Sequence, residues 1–276
     1  AEQPFWLDEL TTIRRAKLPV AELFADSFTN MHLPTYFLGV RLLLGLGEGE
    51  VVLRIPSAFF GAGTAVVAAM IARPLGGWAA AWTAGLLVAL SPLQVQFGQE
   101  ARANALLGFL VILALKGLLA VAADPKAAAT ALTRPGAMRG DWAIYTLATG
   151  GALAVLNSAV FWLAASVAGL AFILCAGRPA ARKGLLVNAG IALAVICCLW
   201  LPWVPFVSGP VAQTAGSGFW IPKLTAENVF STFGAVYLYR VSDPVDFDLE
   251  PATFPMAAAA MAALLEEEAG KGPLRI

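Results

Sequence analysis

Four short polar clusters in a very apolar chain carry the residue types that chemistry needs. Asp8-Glu9 follows the aromatic pair Phe5-Trp6, and His32 and Pro34 open a short apolar run. Arg54 stands just before a long uncharged run, and Glu100 and Arg102 lie in a Gln99-Glu100-Ala101-Arg102 turn between two such runs. A carboxylate can take the proton of an attacking hydroxyl. Arginines and a histidine can hold a phosphate and stabilise it as it leaves. The set suits group transfer from a phosphorylated lipid at a membrane surface. Each cluster also has a plain structural reading: solvated loop charges at Asp8-Glu9, a surface histidine at a helix start, a snorkelling Arg54, an ion pair between Glu100 and Arg102. What makes them a candidate site is the common side that topology gives them.

Other chemistries find less support. A single histidine argues against Ser-His-Asp hydrolysis and excludes histidine-rich metal centres. Cys175, Cys197 and Cys198 fall inside apolar runs and read as small buried hydrophobes, with no metal or disulfide spacing. No glycine-rich loop joins a strand to a helix, which argues against nucleotide binding of the usual kind. A formal net charge of zero leaves no electrostatic footprint for nucleic acid.

The elements that must position these residues are membrane helices. Of 276 residues, 59% are hydrophobic and 13% charged, against about 25% charged in an average soluble domain. Uncharged runs cover Ile55–Ala72, Leu75–Phe97, Trp142–Gly177 and Gly184–Pro222. A spanning helix needs about 20 apolar residues. The run from Trp142 is too long for one crossing, and the polar step Asn157-Ser158 marks a turn within it. The expected spans are Ile55–Ala72, Leu75–Phe97, Asn104–Ala123, Trp142–Leu156, Ala159–Ala176 and Leu185–Val207. The fold class is all-α, a polytopic transmembrane bundle of about six helices.

Basic residues collect in alternate connections: Arg73; then Lys126, Arg134 and Arg139; then Arg178, Arg182 and Lys183. The positive-inside rule turns these toward the cytoplasm. Residues 1–54, the Gln99–Arg102 turn, the Asn157-Ser158 turn and the stretch after Val207 then share the outer face. Met31–Gly47 is apolar but short and interrupted by Arg41, so an interfacial helix is expected there. The organisation expected is an outer loop over 1–54, a membrane bundle over 55–207, and an outer loop with a C-terminal segment over 208–276.

The strings FWLDEL, HLPTYF, LRIPSAFFG, ALSPLQVQFGQEAR, LPWVPF and GFWIP, in that order, resemble the bacterial glycosyltransferases related to dolichyl-phosphate-mannose–protein mannosyltransferases. These are of the GT-C class of integral membrane enzymes. The resemblance covers about Phe5 to Pro222. It implies a GT-C-like fold in the bacterial inner membrane and a polyprenyl-phosphate-linked sugar as donor, handled on the external side. It implies Asp8 as the base, with Glu9 beside it, and His32, Arg54 and Arg102 toward the donor phosphate. Glu100 and Asn157 are supporting residues. A histidine stands near the Asn157 position in many members, and Leu33 replaces a family proline. No cofactor is assigned, and a divalent metal is left open. Expected partners are membrane lipids, the donor lipid and other membrane subunits. Relative to the family the chain is expected to be shortened at both ends. That favours an alternative: a non-catalytic structural subunit of a larger membrane complex.

Overall fold

The computed structural model describes residues 5–30, 32–130, 139–176 and 179–205, all within one compact unit. Arg134, Arg178, the GFWIP string and the whole 208–276 segment lie outside the described residues. Among the described residues every element is helical. The order is α1 (Leu7–Lys17), α2 (Val20–Thr29), α3 (Pro34–Leu44), α4 (Glu50–Ala89) and α5 (Pro92–Gly98). Then come α6 (Ala103–Ala123), α7 (Pro125–Ala129), α8 (Arg139–Val155), α9 (Ala159–Ala176) and α10 (Pro179–Trp200). Three stretches are long and apolar enough to cross a membrane: Glu50–Ala89, Ala103–Ala123 and Ala181–Trp203. The chain is a membrane protein on that ground. In lipid a helix satisfies all its own backbone groups, which is why apolar runs of this length fold so. At 17 and 18 residues, α8 and α9 reach only about 26 Å at 1.5 Å per residue, which is why they fall short of the same length.

The 40-residue α4 is two limbs. Gly76 and Gly77 have non-helical backbone, with Gly77 at φ 66°, a left-handed conformation that glycine adopts without penalty. Past the turn the chain folds back on itself. A Cβ at Gly85 would lie 3.3 Å from that of Ala69, Gln94 Nε2 reaches Gly61 O at 3.4 Å, and Gly98 approaches Ser57 and Ala58. The limbs are therefore antiparallel. This agrees with two expected spans but moves the reversal from Arg73 to Gly76-Gly77. Arg73 stays in the first limb, its guanidinium 4.2 Å from the Trp78 ring centroid. The second limb differs from the continuous expected helix: it breaks at Leu90-Ser91, and Pro92 opens α5. Proline lacks the N–H that would continue the ladder and suits a first turn.

The remaining helices alternate in direction. Gly117 of α6 lies against Asp141 and Tyr145 of α8, whereas Leu110 lies against Gly151. Tyr145 Oη meets Ser166 Oγ at 3.0 Å, and Trp162 Nε1 donates to Thr149 Oγ1 at 3.1 Å, so α9 runs back along α8. Gly184 at the start of α10 meets Ala129, and Leu199 near its end meets Gly150. The α8–α9 turn falls at Leu156–Ser158, where Asn157-Ser158 predicts it. Ala114, Leu118, Val121, Tyr145, Leu153, Leu170 and Ile196 fill the core among these four helices. Their outward residues, Phe161, Phe172, Leu186 and Ile191 among them, are exposed, as lipid-facing residues would be.

One end of this arrangement gathers Gly76-Gly77, the α6–α7 junction with Lys126, and the α9–α10 connection with Arg182 and Lys183. Arg182 Nη2 donates to Cys175 O at 3.1 Å and caps the last turn of α9. The other end gathers the start of α4, the α5–α6 turn and the α8–α9 turn. The sharing of ends expected from charge therefore holds for the described connections.

Candidate functional site

At that second end α1, α2 and α3 fold over the start of α4. At 11 residues, α3 is about 16 Å long at 1.5 Å per residue, half of a bilayer core. It packs on α1, α2 and α4. Arg41, the residue that interrupts its apolar run, donates to Ala16 O at 3.2 Å and Leu18 O at 2.6 Å. It thereby satisfies carbonyls that the end of α1 leaves open. Ala16, Val40, Leu53 and Ala101 form a small core between these helices, with Phe5, Ile13 and Tyr36 against it.

Glu9 is the centre of this assembly and is completely buried. Arg54 Nε donates to its Oε1 at 2.9 Å and Nη2 to its Oε2 at 2.6 Å. The Ala101 N–H donates to Oε1 at 2.7 Å and the Trp6 N–H to Oε2 at 3.2 Å. One carboxylate thus ties α1 to α4 and to the α5–α6 turn. Burial alone would raise its pKa, but the donors from Arg54, Ala101 and Trp6 outweigh burial and hold it below the usual carboxylate range. Both oxygens are committed, so Glu9 is a tether rather than a base. Arg54 is correspondingly engaged, its guanidinium also 5.2 Å from the Phe5 ring centroid. It begins not before α4 but within its second turn.

Asp8 is placed differently. Its side chain is 45% exposed, and Arg102 Nη1 approaches Oδ2 at 3.3 Å and Asp8 O at 3.2 Å. Arg102 is the N-cap residue of α6 and is 32% exposed. The pair expected from sequence, Glu100 with Arg102, is replaced in part by this one. Glu100 instead accepts from Gln96 Nε2 at 3.0 Å. Burial, reinforced by Glu9 and Asp8 and opposed by Gln96 and Arg102, raises its carboxyl above the ordinary range.

His32 lies at the rim, its Nδ1 2.6 Å from Asn30 O, so that nitrogen carries the proton and donates. Partial burial of the ring lowers its pKa; Arg15 and Arg102 add to this, while Asn30 O and Asp26 oppose it. A neutral imidazole offers a ligand hydrogen bonding rather than charge. Asn157 lies in the α8–α9 turn at the same end of the bundle. The structure therefore brings Asp8, Glu9, Arg54, Glu100 and Arg102 together, with His32 within the electrostatic reach of Arg102. Among the described residues no group of three or more His, Cys, Asp or Glu side chains converges on a metal position.

Two residues of this region escape sequence reasoning. Arg15 pairs with Asp26 at 2.8 Å and lies 5.6 Å from the Phe37 centroid, bracing α1 against α2 and α3. Tyr36 hydrogen-bonds Ser57, its phenol pushed up in pKa mainly by burial. The Tyr36 signal is visible in the string: it lies one helical turn before Val40, on the side of α3 that packs against the small core. Comparison with family models, with curated proteins and with solved structures finds no match.

Proposed function

We propose that this chain is a membrane glycosyltransferase that moves a sugar from a polyprenyl-phosphate-linked donor to an acceptor hydroxyl on the external side of the bacterial inner membrane. The observation that carries the reading is the division of labour in the acidic pair. Glu9 is saturated and buried, whereas Asp8 is exposed beside Arg102, at the helix ends of a membrane bundle. Asp8 takes the proton of the acceptor hydroxyl as that oxygen attacks the anomeric carbon. The bond from that carbon to the phosphate oxygen breaks, and polyprenyl phosphate leaves with the electron pair. Arg102 holds the phosphate and stabilises its growing charge, a role that pre-positioned cationic donors fill well. Arg54 moves from the donor-binding role expected of it to a structural one, because Glu9 occupies it. The resemblance of the FWLDEL, HLPTYF and QEAR strings to GT-C mannosyltransferase relatives supports the same chemistry.

A second reading is a non-catalytic subunit of a larger membrane complex. It is favoured by the same Glu9–Arg54–Ala101 lock, since three of the polar groups at this end serve architecture. Incubation of the purified protein with radiolabelled polyprenyl-phosphate sugars and candidate acceptors separates the two. Sugar transfer that depends on the protein supports the enzyme. Its absence across donors, together with fixed co-purification of partner subunits, supports the structural reading.

A further inference from the structure

The helix that carries the acidic pair is graded along its length. Apolar residues precede it and line the outward side of its first turn, Phe5, Trp6, Leu7 and Leu10, while the Asp8 and Glu9 of that turn are engaged with Arg102 on the flank and Arg54 in the interior. Its last turn is basic: Arg14, Arg15 and Lys17. Glu9, Thr12 and Ala16 face the protein and are buried. At 100° per residue the opposite face carries Leu7, Leu10, Arg14 and Lys17. Leu7 is 76% exposed, and Leu10 and Trp6 about half exposed.

The direction of α1 relative to the membrane helix is fixed by two ion pairs. Glu9 is level with Arg54, one turn inside α4. Lys17 is level with Glu48, before α4 begins, Nζ to Oε2 2.7 Å. So α1 descends toward its own N-terminus alongside the entry of α4 into the bundle. The exposed apolar residues at that depth on α4 are Val51, Ile55 and Phe59. The apolar end of α1 is thus beside the start of a lipid-facing surface, and its basic end is directed away from it.

We propose that α1 is immersed at its N-terminal end in the lipid bilayer, with Trp6, Leu7 and Leu10 among the upper acyl chains and Arg14 and Lys17 at the level of the lipid phosphates. The partner is the bilayer surface itself. Amphipathic helices lie in this zone with the apolar part buried about 5–10 Å into the headgroup and acyl boundary. Tryptophan prefers that boundary, and arginine and lysine extend toward phosphates above it. Asp8, in the same turn, is turned to the flank of α1 and paired with Arg102, so its charge is met by the protein rather than by lipid. An acceptor reaching Asp8 must then itself sit at the membrane surface, a consequence that rests on the glycosyl-transfer reading; the placement of α1 does not.

The test uses the full chain in nanodiscs. In a background of Cys175→Ser, Cys197→Ser and Cys198→Ser, spin labels are placed at Leu7→Cys, Leu10→Cys and Lys17→Cys. Oxygen, which concentrates in lipid, should relax the labels at 7 and 10 several-fold more than the label at 17. A water-soluble nickel chelate should show the reverse order. Equal chelate access at all three positions, or protection of 7 and 10 from both reagents, overturns the proposal. A second measurement leaves the native cysteines in place. The difference in tryptophan emission between the native chain and Trp6→Phe should be quenched by lipids brominated near the top of the acyl chain. Quenching of that difference by aqueous iodide instead also overturns it.

Discussion

The Glu9 carboxylate and the Arg54 guanidinium meet in a two-pronged ion pair, 2.9 Å and 2.6 Å, that joins α1 to α4 across 45 residues of sequence. The acid is wholly buried and the arginine 19% exposed. Removing one member of a buried pair leaves the other desolvated without its counter-charge, at a cost of about 3–5 kcal/mol. Glu9→Ala is therefore expected to lower thermal stability in detergent sharply. A double replacement, Glu9→Leu with Arg54→Met, should recover much of that loss, because an apolar pair of similar volume avoids the desolvation cost. Equal melting temperatures for Glu9→Ala and the native chain would show that this tie contributes nothing.

The two site arginines should separate in a binding measurement. Arg102→Ala is expected to weaken binding of a polyprenyl phosphate by about 1.5–3 kcal/mol, the value of a hydrogen bond to a charged group, with little change in melting temperature. Arg54→Ala should lower the melting temperature. Isothermal titration and thermal unfolding on the same two preparations check the assignment; the reverse pattern would restore Arg54 to the donor.

Acid should act on this end through Glu9, with a definite sign. Its unfolded-state pKa is near 4.5 and its folded-state value lower. The folded chain then binds fewer protons between those two values, so the contribution is complete above about 4.5 and is lost as pH falls through the folded value. Glu100 has the opposite sign, since its folded-state value lies above 4.5. Its carboxyl costs stability as pH rises from about 4.5 through the raised value. Glu100→Gln should be more stable than the native chain at neutral pH and lose that advantage near pH 4. Melting curves at both pH values decide it.

The α4 turn gives a backbone prediction. Gly77 has φ 66° and ψ −150°, a backbone region open essentially to glycine alone, and a β-branched residue there incurs strain of about 1–3 kcal/mol. Gly77→Val should lower the melting temperature more than Gly39→Val; a Cβ at Gly39 meets nothing within 4 Å. Equal effects would place the reversal elsewhere.

Much of the bundle is legible in the sequence because lipid enforces a simple rule: an apolar run must be a helix, and its ends must be polar. Asn157-Ser158 reveals the α8–α9 turn for that reason. The α4 reversal is displaced because Arg73 looks like a loop residue, yet stacking on Trp78 lets it stay helical. The α5 break is hidden because Ser91-Pro92 carries no charge and leaves the uncharged run Leu75–Phe97 unbroken. At the site, residue types identify the cluster, but not which carboxylate of Asp8-Glu9 is buried. That is decided by helix phase: Glu9 shares a face with Thr12 and Ala16, and Asp8 falls on the flank. Nor does the sequence reveal that Arg102 approaches Asp8, since the contact spans 94 residues.

The assignment of Asp8 as base is tested most directly by the rate of sugar transfer from a radiolabelled polyprenyl-phosphate donor by the native chain and by Asp8→Asn. Both are reconstituted in nanodiscs and matched for folded protein. Asparagine preserves size but cannot accept the acceptor's proton, and loss of a general base typically costs about 10²–10⁴-fold. The expected result is transfer by the native chain, a loss of that order in Asp8→Asn, and unchanged donor binding. Transfer by Asp8→Asn at the native rate would contradict the assignment, and no transfer by either chain would contradict the enzyme itself.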